Sequence, residues 1–164
     1  MATNAAPIYG KQYIRYAETW EAAVDAEAGS PAATAAGTGV GIVEVGELRV
    51  VAYMTSAGPN VASAPDALAP ANWTGLIAGV NQAYMPTALA QPYTARQMTV
   101  ATSGLLLIEV DPAAAPINLN SQLQVNLLGQ ATHAGTSVTL DGTTPLIREN
   151  VTIGGRRLVL VSFA

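Results

Sequence analysis

From Trp73 to the C-terminus, the chain is a succession of short apolar segments separated by turn signals. Many of these segments are rich in β-branched residues, which favour extended backbone. The predicted strands are residues 75–80, 97–101, 105–110, 122–128, 137–140, 146–148 and 157–163. The predicted turns are Ser103-Gly104, Asp111-Pro112, Gly129, Asp141-Gly142 and Gly154-Gly155. Such spacing predicts a mainly β fold, a small antiparallel β-sandwich or barrel.

The preceding part of the chain divides into three stretches. Residues 41–54 are strand-like, with a turn at Gly46-Glu47. Residues 55–72 are rich in proline and alanine, and they predict a long loop. Residues 30–41 are small and low in complexity, which is typical of a linker. We therefore predict a β domain over residues 41–164, preceded over residues 1–40 by an arm or helix and its linker.

Aromatic residues recur near the N-terminus at steps of four and three residues. They are Tyr9, Tyr13, Tyr16 and Trp20. This spacing marks one face of a helix, so we predict a helix over residues 9–28, with a short extended arm as the alternative. The aromatic face would pack either on the chain's own β domain or on another subunit, because tyrosine and tryptophan are enriched at interfaces.

Two arginines, Arg156 and Arg157, flank the predicted hairpin turn at Gly154-Gly155. We expect them to be solvated or to contact a second subunit. Together with the four aromatic residues, they complete the set of candidate interface residues.

Composition argues against several classes of function. There is no cysteine, so disulfides and thiol catalysis are excluded, and a single histidine excludes multi-histidine metal sites. The net charge is −4 and only 11% of residues are charged, so no basic surface for nucleic acid or an anionic membrane is expected. No apolar run approaches the ~20 residues of a membrane-spanning helix. We predict no cofactor and no metal.

Three features are candidate sites of chemistry. His133 lies in a turn-like stretch, where a catalytic role would need partners from elsewhere in the chain. Glu109 and Asp111 would share one face of a strand, as a glycosidase pair or calcium ligands would, although turn formation also explains Asp111-Pro112. The glycines of residues 37–41 lack the spacing of a phosphate-binding loop. We expect no catalytic residue.

Several short motifs between residues 75 and 161 resemble those of a known protein family. They are Gly75-Leu-Ile-Ala-Gly-Val-Asn81, Gln97-Met-Thr-Val-Ala-Thr-Ser-Gly-Leu-Leu-Leu-Ile-Glu-Val110, Ile117-Asn-Leu-Asn-Ser-Gln-Leu-Gln-Val125, Gly129-Gln-Ala-Thr-His-Ala-Gly135 and Gly155-Arg-Arg-Leu-Val-Leu-Val161. Over residues 73–164 the chain resembles the capsid cement or decoration proteins of tailed bacteriophages. It departs from their pattern at Asn120-Ser121, where the family has Gly-Asp.

The resemblance implies a structural protein of the virion and not an enzyme. Such proteins are mostly β, often form trimers, and stabilise the head by bridging capsomers on the outer capsid surface. The implied partners are the major capsid protein and further copies of this chain, with a homotrimer expected. The alternatives are another virion component, such as a tail, baseplate or fibre-associated β domain, or a carbohydrate-binding or glycan-hydrolysing domain.

Overall fold

The computed structural model describes residues 11–22, 47–53, 61–63, 77–82 and 96–163. These residues form nine strands and no helix. The strands are β1 Tyr13–Ala22, β2 Val50–Tyr53, β3 Val61–Ser63, β4 Ile77–Asn81, β5 Arg96–Glu109, β6 Gln124–Val125, β7 Thr136–Ser137, β8 Leu146–Ile153 and β9 Arg156–Phe163. No helix long and apolar enough to cross a membrane is found in this part of the chain. The mainly β fold predicted from the sequence is confirmed.

Seven of the strands form one sheet, in the order β1-β3-β2-β4-β5-β9-β8. Because β1 also pairs with β5, the strands β1, β3, β2, β4 and β5 form a closed ring. Neighbouring strands are antiparallel except for β1 and β3, which are parallel over a short stretch. The strands β6 and β7 form a separate two-stranded ribbon.

The long strand β5 belongs both to the ring and to the three-stranded unit β5-β9-β8. One of its edges pairs with β1, from Leu105 back to Arg96. Its other edge pairs first with β4 and then with β9. Leu105 accordingly lies opposite Tyr13 on one side and Ser162 on the other. The N-terminal strand and the C-terminal strand thus flank the same point of β5.

The two faces of the β5-β9-β8 unit pack against different clusters. Leu106 and Ile108 lie in the main core, which also receives apolar residues from the segment that follows β5. The intervening Leu107 belongs to a second cluster on the opposite face. That second cluster consists of Leu48, Leu107, Val151, Leu158 and Leu160. The alternation follows from the two-residue side-chain period of a strand.

Residues 13–22 form β1, so the helix predicted over residues 9–28 is wrong there, and the alternative of an extended conformation is correct for these residues. Arg15 has no partner in the register, because Ile14 lies opposite Gly104 and Tyr16 lies opposite Ser103. This irregularity is a β-bulge, and it shifts the phase of the strand by one residue. A three-residue step between aromatic residues therefore arises on a strand. Tyr9 and residues 23–28 lie outside the described part of the chain.

Two further predictions are corrected. The turn expected at Ser103-Gly104 is wrong, because β5 runs through both residues in one strand. Three residues of the loop expected over residues 55–72 form β3. The hairpin turn at Gly154-Gly155 is confirmed, since both glycines have positive φ and join β8 to β9.

Candidate functional site

Two of the candidate interface residues form an exposed surface with a leucine of β5. The side chains of Tyr13 and Tyr16 are 63% and 58% exposed, and Leu105 beside them is 37% exposed. We call these three residues the tyrosine patch. Tyrosines bury a large area and keep a polar tip, which suits them to contacts with another protein.

The bulge at Arg15 places the two tyrosines on one face of the sheet. Tyr13 lies opposite Leu105, and Tyr16 lies opposite Ser103. Directly opposite residues of an antiparallel pair share a face, and residues two apart on a strand do so as well. Without the extra residue, side chains three positions apart would point to opposite faces. The bulge is therefore the local device that assembles the patch.

Gly104 allows β1 to approach β5 closely at this point. A Cβ at position 104 would overlap the backbone carbonyl of Tyr13 and would also crowd the amide of Arg15. The φ of Gly104 is 124°, a conformation that L-residues rarely adopt. In the sequence this glycine predicts a turn, but in the structure it allows two paired strands to approach closely.

Gln12 continues the β1–β5 pairing beyond the end of the strand. Its Oε1 accepts a hydrogen bond of 2.9 Å from the backbone amide of Leu107, and its Nε2 donates to Oε1 of Gln82. Next to it, the Lys11 ammonium lies 3.5 Å from a carboxylate oxygen of Glu149 on β8. Side chains therefore hold the beginning of this segment where backbone pairing stops.

The remaining two aromatic candidates are only partly located. Trp20 lies on β1 opposite Met98 of β5, and its side chain is outside the described features. Tyr9 lies outside the described residues. The structure thus brings together Tyr13 and Tyr16 of the four aromatics that the sequence singled out.

The two candidate arginines are half-buried and hold contacts within the domain. Arg156 lies with Nη2 3.7 Å from Oε1 of Glu109. Arg157 donates from Nη1 to the backbone carbonyl of Ala114 at 2.6 Å. Both link the β8–β9 hairpin to neighbouring elements, on opposite faces of β9. Their described contacts are consistent with a role inside the fold.

Glu109 is the centre of a half-buried polar cluster. Its Oε2 lies 2.7 Å from Nε of Arg49 and accepts a hydrogen bond from the buried side chain of Gln130. Asn126 in turn donates to Oε1 of Gln130 at 3.0 Å. With the contact to Arg156, both carboxylate oxygens of Glu109 have partners. The cluster joins four separate stretches of sequence around one carboxylate.

The other residues weighed for chemistry also have structural partners. Oδ1 of Asp111 accepts from the backbone amide of Ala113, which stabilises the turn predicted there, and Oδ2 is 3.4 Å from Nδ2 of Asn126. His133 is exposed, and its Nε2 lies 3.1 Å from the carbonyl of Ala115. The glycines of residues 37–41 lie outside the described residues.

A small cavity of about 40 Å³ lies at the end of β9, close to the part of β5 that pairs with Tyr16. It is lined by Thr102, Leu140, Asp141, Thr143, Pro145 and Phe163. Its volume suits about one or two water molecules and not a sugar ring. Phe163 is buried, so its ring is not available for stacking against a sugar. No cluster of three or more metal-ligating side chains occurs within the described ranges.

Sequence reasoning missed three contributors to these sites. Leu105 begins an apolar run in the sequence, and no signal separates it from the buried leucines that follow. Gln12 and Gln130 have no pattern that distinguishes them from other glutamines. Their roles depend on partners that are distant in the sequence.

Comparison of the chain with protein-family models, with curated proteins and with solved structures finds no match.

Proposed function

We propose that this protein is a structural component of a tailed-bacteriophage virion that binds the outer capsid lattice and stabilises the head. The tyrosine patch is the observation that carries the proposal. It offers two large amphipathic side chains and a leucine on one face of a sheet. Contact residues of this type dominate the binding energy of many protein interfaces.

The sequence resemblance over residues 73–164 supports the same role. Part of that segment forms β5, which carries Leu105 of the patch and pairs with the strand that carries both tyrosines. A decoration protein acts by mass action, because a protein that binds only the assembled shell stabilises that shell. It therefore needs a firm domain and a contact surface, with no requirement for turnover.

The polar groups of the domain favour this role over glycan hydrolysis. A glycosidase needs two carboxyl groups that face a substrate across a cleft. Here Glu109 is held by two arginines and a glutamine, and Asp111 is engaged in a turn. Neither carboxylate lines the cavity beside Phe163. Their contacts are those of groups that stabilise the fold.

The test uses capsids of a tailed bacteriophage that lack their decoration protein. The purified chain is added, binding is measured by co-sedimentation, and heat resistance of the shell is measured in parallel. We expect saturable binding and a higher disruption temperature. Binding to isolated tails or baseplates, with none to capsids, would instead assign the chain to another part of the virion.

The variant Tyr13→Ser/Tyr16→Ser tests the patch. Both side chains are exposed, so we expect unfolding free energy to change by less than about 0.5 kcal/mol per site. Capsid affinity should fall by about tenfold or more if these residues are central contacts. Leu119→Ser is the matched control, because Leu119 is a 54% exposed apolar residue outside the patch. Equal affinity of all three proteins would contradict the assignment of the patch.

A further inference from the structure

β1 is attached to the domain mainly through its backbone. Over Tyr13 to Thr19, six side chains are exposed, one is half-buried and none is buried. By contrast, β4 consists entirely of buried residues. Removing the described side chains of β1 from the domain would therefore leave the main core intact. What the domain would lose is a nine-position ladder along β5 and the short parallel pairing with β3.

The edge of β5 is shaped to receive this particular strand. Gly104 leaves room for the Tyr13 carbonyl, the register accommodates the bulge at Arg15, and the Leu107 amide meets the Gln12 side chain. A second copy of the chain carries the same residues 11–22. Its β1 would make identical contacts with this edge, which is the condition for exchanging an element between protomers.

The connection between β1 and the next described residue is long enough for exchange. Residues 23–46 comprise 24 residues. At about 3.3 Å per residue, a chain of this length spans up to about 80 Å.

We propose that residues 11–22 are exchanged between copies of this chain, with the β1 of one copy paired to the β5 of another. The tyrosine patch then combines Tyr13 and Tyr16 of one copy with Leu105 of its neighbour. The inference depends on the β1–β5 pairing alone and does not require a capsid. On a lattice, exchange would connect neighbouring bound copies through main-chain hydrogen bonds.

The chain has no cysteine, so an introduced pair reports the connectivity of β1 without interference. Thr19 and Thr99 are opposite each other and both exposed. The Thr99 carbonyl accepts a hydrogen bond from the Gln82 amide on the other edge of β5. Thr19 and Thr99 therefore form a non-hydrogen-bonded pair, in which the side chains are closest and a disulfide fits.

The first experiment uses the double variant T19C/T99C. It is refolded from urea at concentrations from about 0.01 to 1 mM, around the effective concentrations of tethered segments, and is then mildly oxidised. Its mass is measured under denaturing, non-reducing conditions. Exchange gives covalent products of two or more chains, in a fraction that rises with concentration. A disulfide confined to one chain at every concentration would overturn the proposal.

The second experiment mixes the single variants T19C and T99C. They are refolded together and oxidised, and the disulfide between positions 19 and 99 is quantified by peptide mass spectrometry. This disulfide joins two chains by construction. The matched control replaces T99C with T152C, because Thr152 is exposed on β8 and pairs with Arg157 beyond the Glu109 end of β5, whereas Thr99 lies near the opposite end of that strand. A yield equal to that of the control would contradict exchange.

Capsid binding separates this proposal from the proposed function. A wild-type chain that binds capsids, together with a T19C/T99C variant that closes only internal disulfides, would overturn exchange and leave capsid binding standing. Inter-chain disulfides in a protein that does not bind capsids would support exchange and refute the capsid role.

Discussion

The carbonyl of Tyr13 occupies the space that a side chain at position 104 would need, so the first strand can dock only where β5 carries a glycine. Gly104→Ala should therefore weaken the β1–β5 pairing. Overlap and the positive φ together should lower the free energy of unfolding by about 2–4 kcal/mol. Urea denaturation measures the loss, and hydrogen exchange should show it first in β1.

Gly142→Ala is the control for the cost of placing a side chain at a positive φ. Gly142 has a φ of 75°, but a Cβ there would meet no atom within 4 Å. We expect a loss of about 1 kcal/mol from the conformational cost alone. If the two variants lose the same free energy of unfolding, the close contact with Tyr13 does not add to the cost at position 104.

Replacing Glu109 with glutamine should destabilise the domain by about 1–2 kcal/mol, because the hydrogen-bonded charge pair with Arg49 and the ion pair with Arg156 are lost in a half-buried setting. The midpoint of urea denaturation measures the effect. Glu149→Gln removes an exposed partner of Lys11 and should change stability by no more than about 0.5 kcal/mol. A larger loss of stability for Glu149→Gln than for Glu109→Gln would show that the exposed ion pair contributes more than the half-buried one, contrary to this prediction.

The side chain of Asn150 forms hydrogen bonds with both backbone groups of Ile117, as a neighbouring strand would. Its Oδ1 accepts from the Ile117 amide at 3.1 Å, and its Nδ2 donates to the Ile117 carbonyl at 2.7 Å. Asn150→Ala leaves both backbone groups without these partners, and we expect a loss of about 2–3 kcal/mol in thermal unfolding. Asn150→Asp keeps only the acceptor, so only the Ile117 amide should stay protected from exchange. Rapid exchange of that amide in both variants would argue against this pairing.

Gln12→Ala should loosen the beginning of β1 without disturbing the main core. The Leu107 amide loses its acceptor, so its hydrogen exchange should accelerate along with that of the neighbouring β1 amides. Global stability should fall by about 1 kcal/mol. Lys11→Ala removes the adjacent ion pair but retains the Gln12 bond, and it should leave Leu107 exchange unchanged.

The strands of the C-terminal half were predictable because local chemistry and tertiary structure agree there. Residues 158–161 are apolar and alternate leucine with valine, and Gly154-Gly155 supplies the positive φ angles of a tight hairpin. β1 was not predictable from spacing. A bulge changes the side-chain phase by one residue, so aromatic residues three apart look like a helix face. A glycine that permits a close strand crossing likewise resembles a turn.

The candidate surface was only partly visible in the sequence. Tyr13 and Tyr16 stand out because aromatic residues are scarce elsewhere in the chain. Leu105 does not, because its exposure depends on which face of β5 remains uncovered. The partners of Glu109 could not be predicted from the sequence for the same reason. Arg49 and Gln130 lie far from it in the sequence, and only the fold brings their side chains to one carboxylate.

Leu105 lies between Tyr13 and Ser162, so the start of β1 and the end of β9 are two strand spacings apart, or about 10 Å. A short linker could therefore join them in a circular permutant whose new ends lie elsewhere in the chain. Such a permutant would fix the first strand to the last and would remove its freedom to leave the domain. Cargo fused ahead of Tyr13 or behind Phe163 would be displayed from neighbouring points of the same surface.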